Sequence, residues 1–219
     1  MVHLYALVRH PAALPDMRGI EDATLRTVPV DGGVEAVVSD TPNGAAPTEN
    51  AIVAHARVVE AVAETNSAVL PARFTGDAGS DDDVRAGVAR RREQIGAALD
   101  RVEGCVELGL RVLRHQRAAD APASSGREYM QRRLEQVEQA QAVARDVHGA
   151  LAGLARESTS QVVARGELVL TAAYLLPKSA VDEFRSTLQA AEADAKDVTL
   201  VLTGPWPPYS FTLIEGSGG

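Results

Sequence analysis

Cysteine is almost missing from this 219-residue chain: Cys105 stands alone, which excludes an internal disulfide and fits a reducing compartment. Lysine is nearly as scarce, with Lys178 and Lys196 against twenty arginines, a ratio that points to coding bias rather than to a phosphate site. Acidic residues outnumber basic ones by 30 to 22, and the net charge of -8 argues against a nucleic-acid binder held by phosphate contacts. No long hydrophobic run exists. The longest, residues 168–176, is interrupted by Thr171 and falls well short of the ~20 residues that span a bilayer. No basic and apolar leader opens the chain, so no membrane insertion is expected, and the expected location is the cytoplasm or a cytoplasmic assembly.

Catalytic patterns are missing too. The five histidines, His3, His10, His55, His115 and His148, are scattered, with no pair at metal-ligand spacing and no companion cysteine. Neither a phosphate-cradling loop nor a dinucleotide fingerprint occurs, and no Gly-x-Ser-x-Gly elbow presents a serine. Cys105 opens an apolar strand, the setting of an inert packed thiol. Asp81, Asp82 and Asp83 follow Ser80 as helix-start charges rather than as proton-transfer groups. The expectation is a non-enzymatic protein with no catalytic residue, no metal and no cofactor.

What is present is a globular composition, 45% hydrophobic and 24% charged, long enough for one large or two small domains. Residues 2–8 read as a strand with Leu4, Ala6 and Val8 on one face. Residues 24–30 and 34–39 flank Asp31-Gly32-Gly33 as a hairpin. Thr48 caps a helix whose Ile52, Ala56, Val59 and Ala63 share a face, and residues 69–71 form a short strand leading into a loop with Arg73 and Phe74. A helix from Ser80 carries Val84, Val88, Ile95 and Leu99 on one stripe, with Arg91 on the same side. After a strand from Cys105 to Leu113 and a polar connection, Ser125 and Glu128 make a capping box for a helix over 127–156. Its stripe is Met130, Leu134, Val137, Ala140, Ala144, Val147, Leu151 and Leu154. A hairpin about Arg165-Gly166, a helix with Val181, Phe184, Leu188 and Ala191, and a strand over 198–202 complete the chain before a glycine-rich tail at 216–219. The order strand, helix, strand, strand, helix, strand predicts an α+β protein of two domains, 1–103 and 104–219, the second a ferredoxin-like split βαβ fold with a long helix.

Only eight aromatic residues occur, and three of them, Trp206, Tyr209 and Phe211, lie within six positions. Gly204, Pro205, Pro207 and Pro208 break the last strand into a stiff extended segment, which aims those rings at fixed targets. Two uses are open: closing the core of the last domain, or contacting a partner.

The ending Leu202-Thr203-Gly204-Pro205-Trp206-Pro207-Pro208-Tyr209-Ser210-Phe211 resembles the signature ending of the gas vesicle protein F and L family. The opening Leu4-Tyr5-Ala6-Leu7-Val8, the stretch Val69-Leu70-Pro71-Ala72-Arg73-Phe74 and the strand from Leu168 to Pro177 are similar to that family's pattern. The chain departs from it at Phe74-Thr75-Gly76-Asp77, where glycine would directly follow the phenylalanine. The resemblance implies an accessory protein of gas vesicle assembly, located in the cytoplasm or on the vesicle. It would bind the major gas vesicle shell protein and help nucleate or chaperone its polymerisation. Other accessory proteins of the vesicle are further expected partners; nucleic acid is not. Trp206, Pro207, Pro208, Tyr209 and Phe211, with Arg73 and Phe74, are the expected partner-binding residues. The competing expectation is a small-molecule-binding or catalytic protein on a ferredoxin-like sheet, which a deep polar pocket would favour.

Overall fold

The structure is a computed structural model describing residues 1–30, 32–41, 43–74, 77–115, 125–165, 167–195 and 198–212. Most of the expected polar connection before the long helix, Asp31 and Gly166 of the two hairpin turns, Thr75 and Gly76, and the glycine tail lie outside the described residues.

Two compact units form, one from Met1–Val106 together with the described residues from Trp206 onward, the other from Glu107–Pro205. The first unit is therefore discontinuous in sequence. The expected boundary at 103/104 shifts by three residues, and the terminal aromatic segment joins the first unit, not the second.

In the first unit β1 (Val2–Arg9), β2 (Leu25–Val30) and β3 (Val34–Asp40) pair antiparallel in the order β2-β3-β1, with Gly32 and Gly33 at positive φ in the hairpin turn. The far edge of β1 is shared by β4 (Val69–Pro71) and β5 (Asp77–Ala78). A register shift between Leu4 and Ala6 makes Tyr5 an extra residue against β3. This bulge changes which side chains share a face. Leu4 joins Val2 and Leu7 beside Val28, Ala36, Val38 and Val84, whereas Tyr5, Ala6 and Val8 face the other core. Strict alternation along the sequence predicts Leu4 on the same face as Ala6 and Val8.

α1 (Glu49–Thr65) starts at Thr48, whose hydroxyl accepts from the Ala51 amide, as expected. It turns Ala51, His55, Val58, Val59 and Val62 inward, and Ile52 lies outside at 46% exposure. In a helix rich in Ala and Val two adjacent stripes compete, and the sheet selected the one carrying His55. The single helix expected after Ser80 is two, α2 (Asp81–Ala89) and α3 (Arg92–Val102), broken at Arg90 and Arg91. The apolar positions Val84, Val88, Ile95 and Leu99 are all buried as read, and the break leaves Arg91 exposed at the start of α3. Arg26 on β2 ties α2 to the sheet with a two-pronged contact to Asp81 at 2.8 and 3.0 Å, and it also pairs with Asp40.

The second unit is built from β6 (Cys105–Arg114), α4 (Gly126–Ala152), β7 (Glu157–Arg165), β8 (Leu168–Pro177), α5 (Val181–Asp194) and β9 (Val198–Trp206). The sheet order β7-β8-β6-β9 puts the first and third strands of this unit in the middle and the second and fourth at the edges, the split βαβ order read from the sequence. Its core gathers Leu108, Leu110 and Val112 of β6, Ala140, Ala144, Val147 and Leu151 of α4, Tyr174 and Leu176 of β8, and Phe184 and Leu188 of α5. Ser125 caps α4 by accepting from the Glu128 amide. The upper part of the expected stripe is uncovered, with Met130 63% and Leu134 58% exposed, because a 27-residue helix of about 40 Å outruns strands of about 30 Å. The last strand does not end at Leu202 but runs through Gly204 and Pro205 to Trp206; β9 is an edge strand, where proline costs no ladder partner.

Candidate functional site

The terminal segment folds back on itself. The Tyr209 amide donates to the Pro207 carbonyl at 2.8 Å and the Phe211 amide to that of Pro208 at 3.1 Å, winding Tyr209–Phe211 into one 3-10 turn. The Thr212 hydroxyl donates to the Tyr209 carbonyl at 2.9 Å, and Arg101 of α3 donates to the Phe211 carbonyl. Within this compact turn Pro207, Pro208 and Phe211 are buried. Tyr209 is half-buried against the core of Tyr5, Ile20, Val58 and Val62, and burial, with the Glu60 carboxylate nearby, pushes its hydroxyl up to about 12. Trp206 differs from all of them: it is 44% exposed.

Tyr209 and Phe211 serve the interior of the first unit, and the tryptophan faces outward. Phe74 packs on the same core as Tyr209, and Arg73 is exposed.

Sequence reasoning missed the polar cluster beneath Phe74. Ordinary strand alternation puts His3 and Tyr5 of β1 on the face toward α1, where His55 comes inward from the selected stripe. His3 Nδ1 meets Asp77 Oδ1 at 2.5 Å, His3 Nε2 meets His55 Nδ1 at 2.9 Å, and His55 Nε2 meets the Ala72 carbonyl at 3.0 Å. Asp77 Oδ2 accepts from the Ala45 amide at 2.6 Å. Tyr5 exchanges a hydrogen bond with Ser39 at 2.9 Å, and its oxygen accepts from the Ile20 amide at 2.9 Å. The rings are interleaved, His3 lying 4.9 Å from Tyr5 and 5.4 Å from Phe74, centroid to centroid. Burial lowers the His55 imidazole below the ordinary histidine range, against a smaller upward pull from its bond to Ala72. The partners stand 52 and 74 positions apart, so no spacing rule exposes them.

This cluster is where titratable groups converge, with His3 fully buried, His55 nearly so and Asp77 partly exposed. Among the described residues no group of three or more His, Cys, Asp or Glu side chains is disposed to hold a metal ion.

The family model described as gas vesicle synthesis protein GvpL/GvpF matches residues 1–212. The chain belongs to the GvpL/GvpF family. It is 30% identical over 201 residues to gas vesicle protein F2 of Halobacterium salinarum, covering 90% of this chain and 84% of that protein. It is also 30% identical over 184 residues to gas vesicle protein L of a Streptomyces species, covering 74% and 68% respectively. In fold it is similar to the crystal structure of the gas vesicle protein GvpF from Anabaena sp. PCC7120, with a TM-score of 0.81 at 15% identity over 100% of this chain and 98% of that one. The GvpF structure from Microcystis aeruginosa gives 0.76 at 17% identity.

F-named and L-named GvpL/GvpF relatives match at the same 30% identity, so identity does not separate the two kinds. Among the described residues of this GvpL/GvpF chain, no helix is long and apolar enough to cross a membrane.

A buried acid in the first unit, Glu35, supplies a prediction. Burial alone would raise the Glu35 carboxyl, but hydrogen bonds from His10, Thr27 and the Ala12 amide, with the charge on His10, hold it below the usual carboxylate range. A carboxyl depressed in the folded state stabilises the fold above its unfolded value, and that stability is lost as pH falls through the folded value. Thermal unfolding scanned from about pH 7 down to about pH 3 is expected to show an acid decline that Glu35→Gln flattens.

Proposed function

We propose that this protein is a non-enzymatic accessory factor of gas vesicle assembly that binds the major gas vesicle shell protein. By masking that subunit's apolar surface, it helps nucleate or chaperone polymerisation, and it stays with the vesicle as a minor component. A subunit that lines a gas space carries exposed apolar surface before assembly, a state prone to aggregation. An acidic partner that offers a fixed aromatic contact suits the task, and other accessory proteins of the same assembly are further partners. It acts in the cytoplasm and at the vesicle, without nucleic acid and without entering a membrane.

The observation that carries this reading is the exposure of Trp206 directly before a turn in which Pro207, Pro208 and Phe211 are buried. A rigid, outward tryptophan is the side chain most often found at the energetic centre of an interface. Arg73, exposed beside half-buried Phe74, is the second contact offered.

Co-purification with the shell subunit tests the reading. Wild-type protein is expected to retain the subunit, Trp206→Ala to lose at least ~10-fold in affinity (about 1.4 kcal/mol) with its unfolding curve unchanged, and Arg73→Ala to weaken binding less. Retention of the subunit by Trp206→Ala at wild-type affinity would move the contact elsewhere. Absence of any complex with the wild type, together with normal vesicles in a deletion strain seen by electron microscopy, would end the proposal.

A further inference from the structure

Three links run in series through the first unit: Asp77 to His3, His3 to His55, and His55 to the Ala72 carbonyl. Each link needs one hydrogen between its heavy atoms. An ionised carboxylate brings none, a carbonyl brings none, and a neutral imidazole brings one. Two neutral histidines therefore supply two hydrogens for three links. The series closes only with one further proton. We propose that Asp77, His3 and His55 form a proton-held latch, which ties β5 and the 72–74 segment to β1 and α1 while it keeps that proton and opens when the proton leaves.

The position of the proton follows from the surroundings. The Ala72 carbonyl can only accept, so His55 donates from Nε2, and burial keeps this ring neutral, leaving Nδ1 as an acceptor. His3 then donates from both nitrogens, to His55 on one side and to Asp77 on the other. Asp77 is held in place by the Ala45 amide on its second oxygen. Among the described residues, the ionisable groups that contact the two rings are Asp77 from β5, Tyr5 from β1 and each other; Tyr5 is engaged with Ser39 and the Ile20 amide, and the 72–74 segment contributes the Phe74 ring and a carbonyl, with Arg73 exposed.

Removing the proton turns one link into two facing lone pairs inside a buried cluster, where an unpaired polar atom is costly. The sign is fixed by the proton being bound in the closed form: closure is favoured at lower pH and lost as pH rises. One proton released per opening raises the opening constant by up to ~10-fold per pH unit. Phe74 covers both histidines and shares its core with Tyr209, so opening loosens the footing of the terminal turn. The latch stands independently of the shell-binding reading.

The test uses the full chain with nitrogen-15 labelled histidine. In the folded protein near neutral pH, His3 is expected to show two ring N–H groups and His55 one. A single ring N–H on His3 in the intact fold overturns the latch. Hydrogen exchange at the Ala45 amide, corrected for its intrinsic pH dependence, is expected to speed up by as much as ~10-fold per pH unit on the alkaline side. Asp77→Asn sharpens the test, because the amide supplies the missing hydrogen to His3 through its nitrogen while its oxygen still accepts from Ala45. That variant is expected to fold and to lose the alkaline acceleration; if it folds and keeps the acceleration, the latch is wrong. Should the variant not fold, the ring N–H count in the wild type decides.

Discussion

Replacing Phe211 with alanine is expected to destabilise the first unit by about 3–5 kcal/mol, the largest loss available in the terminal segment. The side chain is 3% exposed, and its carbonyl is held by Arg101, so the turn cannot simply collapse into the space left behind. In a chain of this length such a loss lowers the melting temperature by on the order of 10 °C. Trp206→Ala, in the same short aromatic motif, is expected to stay within about 0.5 kcal/mol of wild type. Urea unfolding of the two variants side by side reads the contrast. Equal effects would mean that the exposed indole is as structural as the buried phenyl ring, and the partner-binding reading would lose its main support.

Phe184→Ala is the corresponding lesion in the second unit, again at about 3–5 kcal/mol. Phe184 is fully buried and meets Tyr174 edge-on at 4.9 Å, while the Tyr174 hydroxyl shares a hydrogen bond with His148 at 2.8 Å. This ring is the main anchor of α5 on the sheet, together with Leu188. Amide exchange should quicken in α5 and β8 and remain slow in β1 and β3 if the two units open separately. A uniform increase across the chain would show that they unfold as one.

The parts of this molecule governed by local chemistry were readable from the sequence. Thr48, Ser80 and Ser125 each accept from the amide three residues on, as their positions before acidic or apolar helices suggest. The second unit's strand order follows from its alternation of elements. What escaped depends on choices made in three dimensions. The bulge at Tyr5 has no marker in a run of apolar residues, yet it reverses the facing of Leu4. The face of α1 is ambiguous in sequence because Ile52 and Val53 are as apolar as the residues actually buried. Arg90 and Arg91 carry no proline or glycine to announce the break between α2 and α3. As for the candidate site, the terminal motif does not tell its buried ring from its exposed one, since only the fold distinguishes Phe211 from Trp206. The His3, His55 and Asp77 cluster required the fold itself.

The discontinuous first unit sets an order of events during synthesis. Its sheet and helices emerge from the ribosome before the second unit, but the turn that seats Tyr209 on its core follows all of Glu107–Pro205. Domains made early in translation ordinarily complete themselves before the rest of the chain appears. Here the early half waits for its final piece, so any nascent chain stalled before residue 206 exposes an unfinished apolar surface to the quality-control machinery of the cell.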